Sequence, residues 1–243
     1  MNTPLRLPTD PRQNHLLAAL PDAEWRRWQP YLELVDLPLG QVLSESGRIP
    51  AFVYFPTTAI VSLLYMTQDG ESSEVAVVGN DGVVGISLFM GGGATPSQAV
   101  VQSAGQGYRL RAQLVKNEVD LAGPVLHMLL RYTQAMIAQV AQTAACNRYH
   151  SIDQLMCRRL LLGLDRLPSD ALVMTQELMA NLLGVRREGV TAAALKLQQA
   201  GVIRYSRGHI VVLDRARLEQ RTREAVSVSR KGYDQLRSMP LAA

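Results

Sequence analysis

The segment 174–214, MTQELMANLLGVRREGVTAAALKLQQAGVIRYSRGHIVVLD, constrains the fold more than any other part of the 243-residue chain. Thr175 is a hydroxyl residue placed to cap a helix, and Leu178, Met179, Leu182 and Leu183 recur on one face of that helix. Gly184 follows, where a helix ends in the left-handed region without a Cβ penalty. A second helix begins near Arg186, buries Val190, Ala193, Ala194 and Leu197, and ends at Gly201. Ile203, Arg204 and Tyr205, then residues 209–213, read as two strands about a Ser206-Arg207-Gly208 turn. Helix, glycine turn, helix and β-wing together predict a winged helix-turn-helix.

Charge sits at the start of the second helix. Arg186, Arg187 and Glu188 occupy its first turn. Two cations there oppose the helix dipole, and an external anion would remove the conflict. An arginine forms two parallel hydrogen bonds to guanine O6 and N7, and a glutamate accepts from cytosine N4. Each good pairing is worth roughly 1–3 kcal/mol of discrimination. These three residues are the expected base readers. Thr175 and Gln176 at the first helix N-terminus, Lys196 on the second helix, and Arg207 and His209 at the wing tip are the expected phosphate contacts. The competing account is a solvated Arg-Arg-Glu turn with an internal ion pair, worth little. Residues 1–150 hold 10 Lys/Arg against 12 Asp/Glu, and residues 151–243 hold 15 against 9, nets of −2 and +6. Charge alone leaves open whether that basic back half meets a nucleic acid or is a solvated face.

Upstream, Leu16, Leu17, Leu20, Trp25, Trp28 and Leu32 are helically spaced across Pro21, which predicts two short helices, the second capped by Asp22. From Leu34 the pattern becomes short β-favouring runs. Turn signals separate them at Gly40, Gly47, Asp69-Gly70, Asn80-Asp81-Gly82 and Gly105-Gln106-Gly107. About seven or eight such strands predict a small antiparallel barrel or roll, with a hairpin at Asp69-Gly70. A short helix is expected over about 114–120, and Pro124 suits the first turn of a long helix. Along that helix Leu129, Tyr132, Met136, Val140 and Thr143 recur at steps of three and four, with Asn147 next and small alanines between. The stripe is the expected seam of a homodimer; the alternative is packing on the chain's own barrel. Ser151 is placed to cap the helix that follows. The expected organisation is α+β. A mobile arm covers 1–13, an antiparallel β-roll 14–121, a dimerisation helix 122–150, and a winged helix-turn-helix with a tail 151–243.

No apolar run reaches the roughly 18 residues of a membrane span. The leading MNTPLRLPTDPRQN lacks the apolar stretch of a signal peptide, so a cytoplasmic protein without a membrane partner is expected. Cys146 and Cys157 have no metal or disulfide spacing. Cys146 lies on the expected seam and reads either as an interchain bridge or as a buried thiol. The four histidines are scattered at 15, 127, 150 and 209. No Ser-His-Asp arrangement, H-E-x-x-H, Walker loop or C-x-x-C occurs, so no enzyme, metal or cofactor is expected.

The order of these parts, with GVRREGVTAAALKLQQAGVI at the helix pair, resembles the Crp/Fnr family of bacterial transcription regulators over about residues 14–218. The resemblance implies a sensor roll, a homodimer through the long helix, and winged domains on a palindromic promoter site in double-stranded DNA, with RNA polymerase as a further partner. The family's Arg-Glu reading pair falls on Arg187-Glu188. Its second base-contacting arginine falls on Ala192, so an operator sequence does not carry over. In members that bind cyclic nucleotides, a glutamate soon after a loop glycine takes the ribose, and an arginine at the loop's end takes the phosphate. The matching loop here, residues 85–101, reads GISLFMGGGATPSQAVV. Ile86 follows Gly85, and the arginine's place falls on Pro96, Ser97 or Gln98. Residues 49–108 contain no Lys, Arg or His. A buried phosphate needs a cation or several aimed backbone donors, and glycine amides supply only part of that. The expectation is a degenerate ligand loop in a regulator that does not bind cyclic nucleotides in the usual way. The alternative is a regulator controlled by another small molecule or nucleotide in the roll. Its lining would be Val83, Ile86, Leu88, Phe89 and Val100, a set that reads equally as core.

Overall fold

A computed structural model of the chain describes residues 10–67, 72–91, 93–167 and 171–222. Residues 1–9 of the expected arm, the Asp69-Gly70 turn and the tail 224–243 lie outside the described residues. The elements run α1 (His15–Ala18), α2 (Asp22–Trp28), β1 (Glu33–Leu37), β2 (Val42–Ser44), β3 (Phe52–Pro56), β4 (Ile60–Met66), β5 (Ser72–Val78), β6 (Ser97–Ser103), β7 (Gly105–Arg111), α3 (Ala112–Asp120) and α4 (Pro124–Tyr149). They continue with α5 (Ile152–Leu164), β8 (Ala171–Val173), α6 (Gln176–Leu183), α7 (Arg187–Gln199), β9 (Ile203–Ser206), β10 (His209–Val212) and α8 (Arg215–Thr222). Among the described residues no helix is long and apolar enough to cross a membrane.

The roll consists of two antiparallel sheets, ordered β1-β7-β3 and β2-β6-β4-β5. Val53, Phe55, Val61, Ala76, Val78, Val101 and Leu110 fill the space between them, with Leu17 and Trp28 closing one side. Asn14 ties α1 to this core. Its side-chain oxygen accepts from the Leu16 and Leu17 amides, and its Nδ2 donates to the carbonyls of Pro56 and Gly82 at 2.9 and 2.8 Å. Asp22 does not cap α2. Pro21 holds the cap position in extended backbone, and Asp22 is the first helical residue, where its charge still suits the helix dipole.

Pro124 opens α4 as its sequence position suggests, and the 26-residue helix spans about 39 Å. Leu129, Tyr132 and Met136 are only 1, 0 and 2% exposed and belong to the roll's core. Tyr132 lies over Gly82, where any Cβ would collide with its ring. This part of the expected dimer stripe is therefore taken up inside the chain. The helix is apolar on two sides, and the roll covers one of them. The side left open carries Leu130 and Ile137, with Val140, Ala141, Ala144 and Ala145 alongside. Thr143 is half-buried and accepts a hydrogen bond from Arg158 at 3.1 Å. Cys146 is buried against Leu155.

A second core lies in the C-terminal part. Ser151 and Gln154 form a capping box at the start of α5. Met156, Leu160, Leu161, Met179, Val190, Leu197, Val202, Ile210 and Leu218 then pack together, each worth about 1.5–3 kcal/mol of burial. β8 and α8, which sequence patterning did not anticipate, complete it. β8 adds a third strand in the order β8-β10-β9, and Leu218 of α8 enters the core.

The two parts meet along α5. On the faces of β4, β5 and β6 that turn away from the roll's core, Ile60 and Val77 pack against Leu162. Beside them Arg159 Nε lies 2.8 Å from Glu74 Oε1, both side chains nearly inaccessible. Ser62 and Gln102 complete the cluster, Ser62 bonding Glu74 and Arg159 donating to Gln102. Arg166 pairs with Asp81 at 2.7 Å and donates to the Leu162 carbonyl at 2.8 Å.

Candidate nucleic-acid interface

The helix-turn-helix forms from local signals. The Thr175 hydroxyl accepts from the Leu178 amide at 3.1 Å, capping α6. Gly184 ends α6 at φ 63°, ψ 36°, which a β-carbon would strain. Arg186 stands at the N-cap of α7 in extended backbone, and Arg187 is the first helical residue. Arg207 and Gly208 have φ of 49° and 80°, the pair of positive values that a two-residue hairpin turn needs. The wing therefore folds back onto the start of α6, where the Met174 amide donates to the Gly208 carbonyl at 2.7 Å.

These elements enclose an open cleft of about 400 Å³. Arg187, Thr191, Leu195 and Gln198 of α7 line one wall, Thr175 and Gln176 another, and Tyr205, Arg207 and Gly208 the third. No carboxylate of the described residues lines it. Tyr205 is fixed by its backbone amide donating to Gln198 Oε1 at 2.7 Å and its hydroxyl donating to the Met174 carbonyl at 2.8 Å. Burial pushes that hydroxyl's pKa up to about 12, against the opposing pull of Arg187, so it stays a neutral donor. Among the described residues Arg186, Arg187 and Arg207 form no ion pair. The cleft thus sets cationic groups and a helix N-terminus around space that an anion can enter.

The expected site residues do not all gather there. Thr175, Gln176, Arg187 and Arg207 line the cleft. Glu188 is exposed on the first turn of α7, Lys196 on its third, and His209 on β10 opposite Ser206. Arg186 lies elsewhere. It lines a cleft of about 620 Å³ between α6 and the far end of β4 and β5, with Tyr65, Thr67, Ser72, Ser73 and Asn147. Sequence reasoning did not single out Thr191, Leu195, Gln198 or Tyr205. Thr191 and Leu195 were accessible to it, because they lie four and eight residues after Arg187 on one helical face.

The loop of residues 85–101 is bonded to itself and its neighbours. Gly85, at φ 110°, is followed directly by a 3-10 turn over Ile86–Phe89. Ser87 Oγ donates to the Gly93 carbonyl at 3.0 Å, and the Gly93 amide donates to the Ser87 carbonyl at 3.2 Å. Ser46 Oγ donates to the Pro96 carbonyl at 2.9 Å, and the Ser97 amide donates to Thr95 Oγ1 at 3.3 Å. Gln98 Nε2 donates to Glu45 Oε2 at 2.7 Å, which sets a carboxylate beside the place where an anion would need a cation. Val83, Leu88 and Phe89 are core residues and Ile86 packs against them, while Val100 is half-buried on β6 opposite Ser62.

Comparison with known proteins agrees with this geometry. Residues 156–221 match the Crp-like helix-turn-helix domain. A putative transcriptional regulator of the Crp/Fnr family from Eubacterium rectale superposes at a TM-score of 0.68 and 18% identity, over 88% of this chain and 100% of that one. FixK2 from Bradyrhizobium japonicum gives 0.66 at 16% identity, over 78% of this chain and 96% of that one. A CRP-family transcriptional regulator from Thermus thermophilus gives 0.65 at 18%, over 79% and 98%. No curated protein matches the sequence.

Proposed function

From the premise of a Crp-like helix-turn-helix carried on the fold of Crp/Fnr regulators, we propose that this DNA-binding transcription regulator works as a homodimer on a twofold-symmetric promoter site in double-stranded DNA. Arg187 and Glu188 read bases in the major groove. Arg186, Thr175, Gln176, Lys196, Arg207 and His209 serve phosphates around them. The observation that carries this reading is the cleft along α7, which no carboxylate of the described residues lines, with Arg187 and Arg207 on different walls. The open side of α4, with Leu130 and Ile137 48 and 59% exposed and three alanines beside them, supports the dimer. Cyclic nucleotides are not taken in the usual way, because Glu45, Gln98 and Pro96 occupy the corner where a phosphate would need a cation.

The test is sedimentation and a mobility-shift titration on a palindromic site found by binding selection. Ile137→Asp is expected to give a monomer that loses high affinity for the symmetric site while keeping its fold. A wild-type monomer that binds a single half-site equally well would overturn the dimer reading. A thermal-shift series with cyclic nucleotides is expected to be flat, and a clear stabilisation would restore the roll as a nucleotide site.

A further inference from the structure

Between Glu188 and Lys196 the exposed side chains of α7 are small or apolar. Thr191, Ala192 and Leu195 are all exposed, Leu195 by 52%. The Thr191 hydroxyl lies 2.8 Å from Gln176 Oε1 and 3.0 Å from the Arg187 carbonyl. Its single proton is spent inside the motif, so outward it offers a methyl and an oxygen that can only accept. Ala192 has only a methyl. A lone exposed leucine on a protein surface is ordinary. Here, however, Arg187, Thr191 and Leu195 follow one another at four-residue steps along one side of the helix and line the same cleft.

Of the four bases, only thymine presents an apolar group to the major groove, its C5 methyl. The others present an amine or a carbonyl oxygen. Set against a methyl surface, those polar groups would lose water without gaining a partner. One helical turn advances about 5.4 Å. The base pairs rise about 3.4 Å each. Residues one turn beyond Arg187 and Glu188 therefore face the next base pair or two. We propose that Ala192, flanked by Thr191 and Leu195, takes the C5 methyl of a thymine one or two base pairs from the guanine bonded by Arg187. The proposal rests on the base-reading role of α7 given above.

The experiment uses the full chain and a synthetic duplex carrying the selected site. Each thymine is replaced singly by deoxyuridine, which removes the methyl and nothing else, and affinity is read by fluorescence anisotropy. One symmetric pair of thymines is expected to lose about fourfold per methyl, the equivalent of about 0.8 kcal/mol. Ala192→Gly is expected to bind the thymine and uracil duplexes equally at that position. If no uracil substitution weakens binding while the guanine still matters, methyl reading is wrong and base reading by α7 stands. If Ala192→Gly keeps the discrimination, the methyl is read by another residue and the assignment to Ala192 falls. If selection yields no duplex bound above random DNA, the base-reading role itself fails. The uracil series on the unaltered protein stands whether or not the glycine variant folds.

Discussion

Arg158, Arg159 and Arg166, on α5 and just beyond it, are 7, 2 and 3% exposed, whereas Arg186, Arg187 and Arg207 around α7 are open to solvent. Arg159 and Arg166 of the first group are matched by Glu74 and Asp81 of the roll, at 2.8 and 2.7 Å, and Arg158 by the Thr143 hydroxyl. Burial pushes the Arg158 and Arg159 pKa values below the usual guanidinium range, and for Arg159 the Glu74 charge opposes that. The second group has no ion-pair partner among the described residues. The same side chain thus holds the chain's two parts together in one place and stands ready for an external anion in the other. The +6 of residues 151–243 mixes the two. Part of that surplus neutralises carboxylates of the front half inside the molecule, so segment charge overstates what a nucleic acid would meet.

The largest effect should come from breaking the buried group. Arg159→Met leaves Glu74 buried without its cation, beside Ser62 and Gln102. Removing one member of such a pair costs about 3–5 kcal/mol. The urea midpoint should fall accordingly, with DNA binding by the folded fraction kept. Replacing both partners, Arg159→Met with Glu74→Met, should recover most of the loss, because the Coulomb gain of a buried pair roughly balances its desolvation. Ser62 and Gln102 then still have each other as partners. A single variant costing under about 1 kcal/mol would mean that water reaches the seam and that the two groups of arginines differ less than their burial suggests.

The comparison also separates what the sequence discloses from what it does not. Thr175, Gly184 and the Arg207-Gly208 turn are local devices. Each acts within a few residues through backbone geometry, and each is readable in order along the chain. The roll's strands are bounded by turn residues in the same way. The seam is not readable like this. Arg159 and Gln102 are 57 residues apart, and Arg166 and Asp81 are 85 apart. Neither carries a local signal. The long helix fails for a related reason. Periodicity reveals its apolar stripes but not which neighbour covers each, and the stripe at Leu129, Tyr132 and Met136 belongs to the roll. β8 escapes notice because three residues, Ala171–Val173, acquire strand geometry only from their partner β10.

On the exposed side, Arg187→Ala should leave stability within about 0.5 kcal/mol, as for a surface substitution. Affinity for the selected site should fall by about 1–3 kcal/mol, and preference at one base pair should relax. A binding selection repeated with the variant reads both effects. Uniform weakening without a change in consensus would demote Arg187 to a phosphate contact and leave base reading to Glu188 and the methyl face beyond it.

The smallest effect is expected at Arg186, and it decides whether the exposed arginines form one group. Arg186 is adjacent to Arg187 in sequence, but it turns to the other side of the helix start, toward Tyr65 of β4, Thr67 just beyond it, and Ser72 and Ser73 of β5. From there it is badly placed to share a base edge with Arg187 and well placed to meet the backbone beside the groove. Arg186→Ala should therefore weaken binding to all sequences about equally, and the slope of log affinity against log salt should fall by about 1. The selected consensus should stay as it is. A changed consensus would bring Arg186 back among the base readers. That would also require the helix start to leave β4 and β5 when it docks, since the side chain cannot face both the roll and the groove.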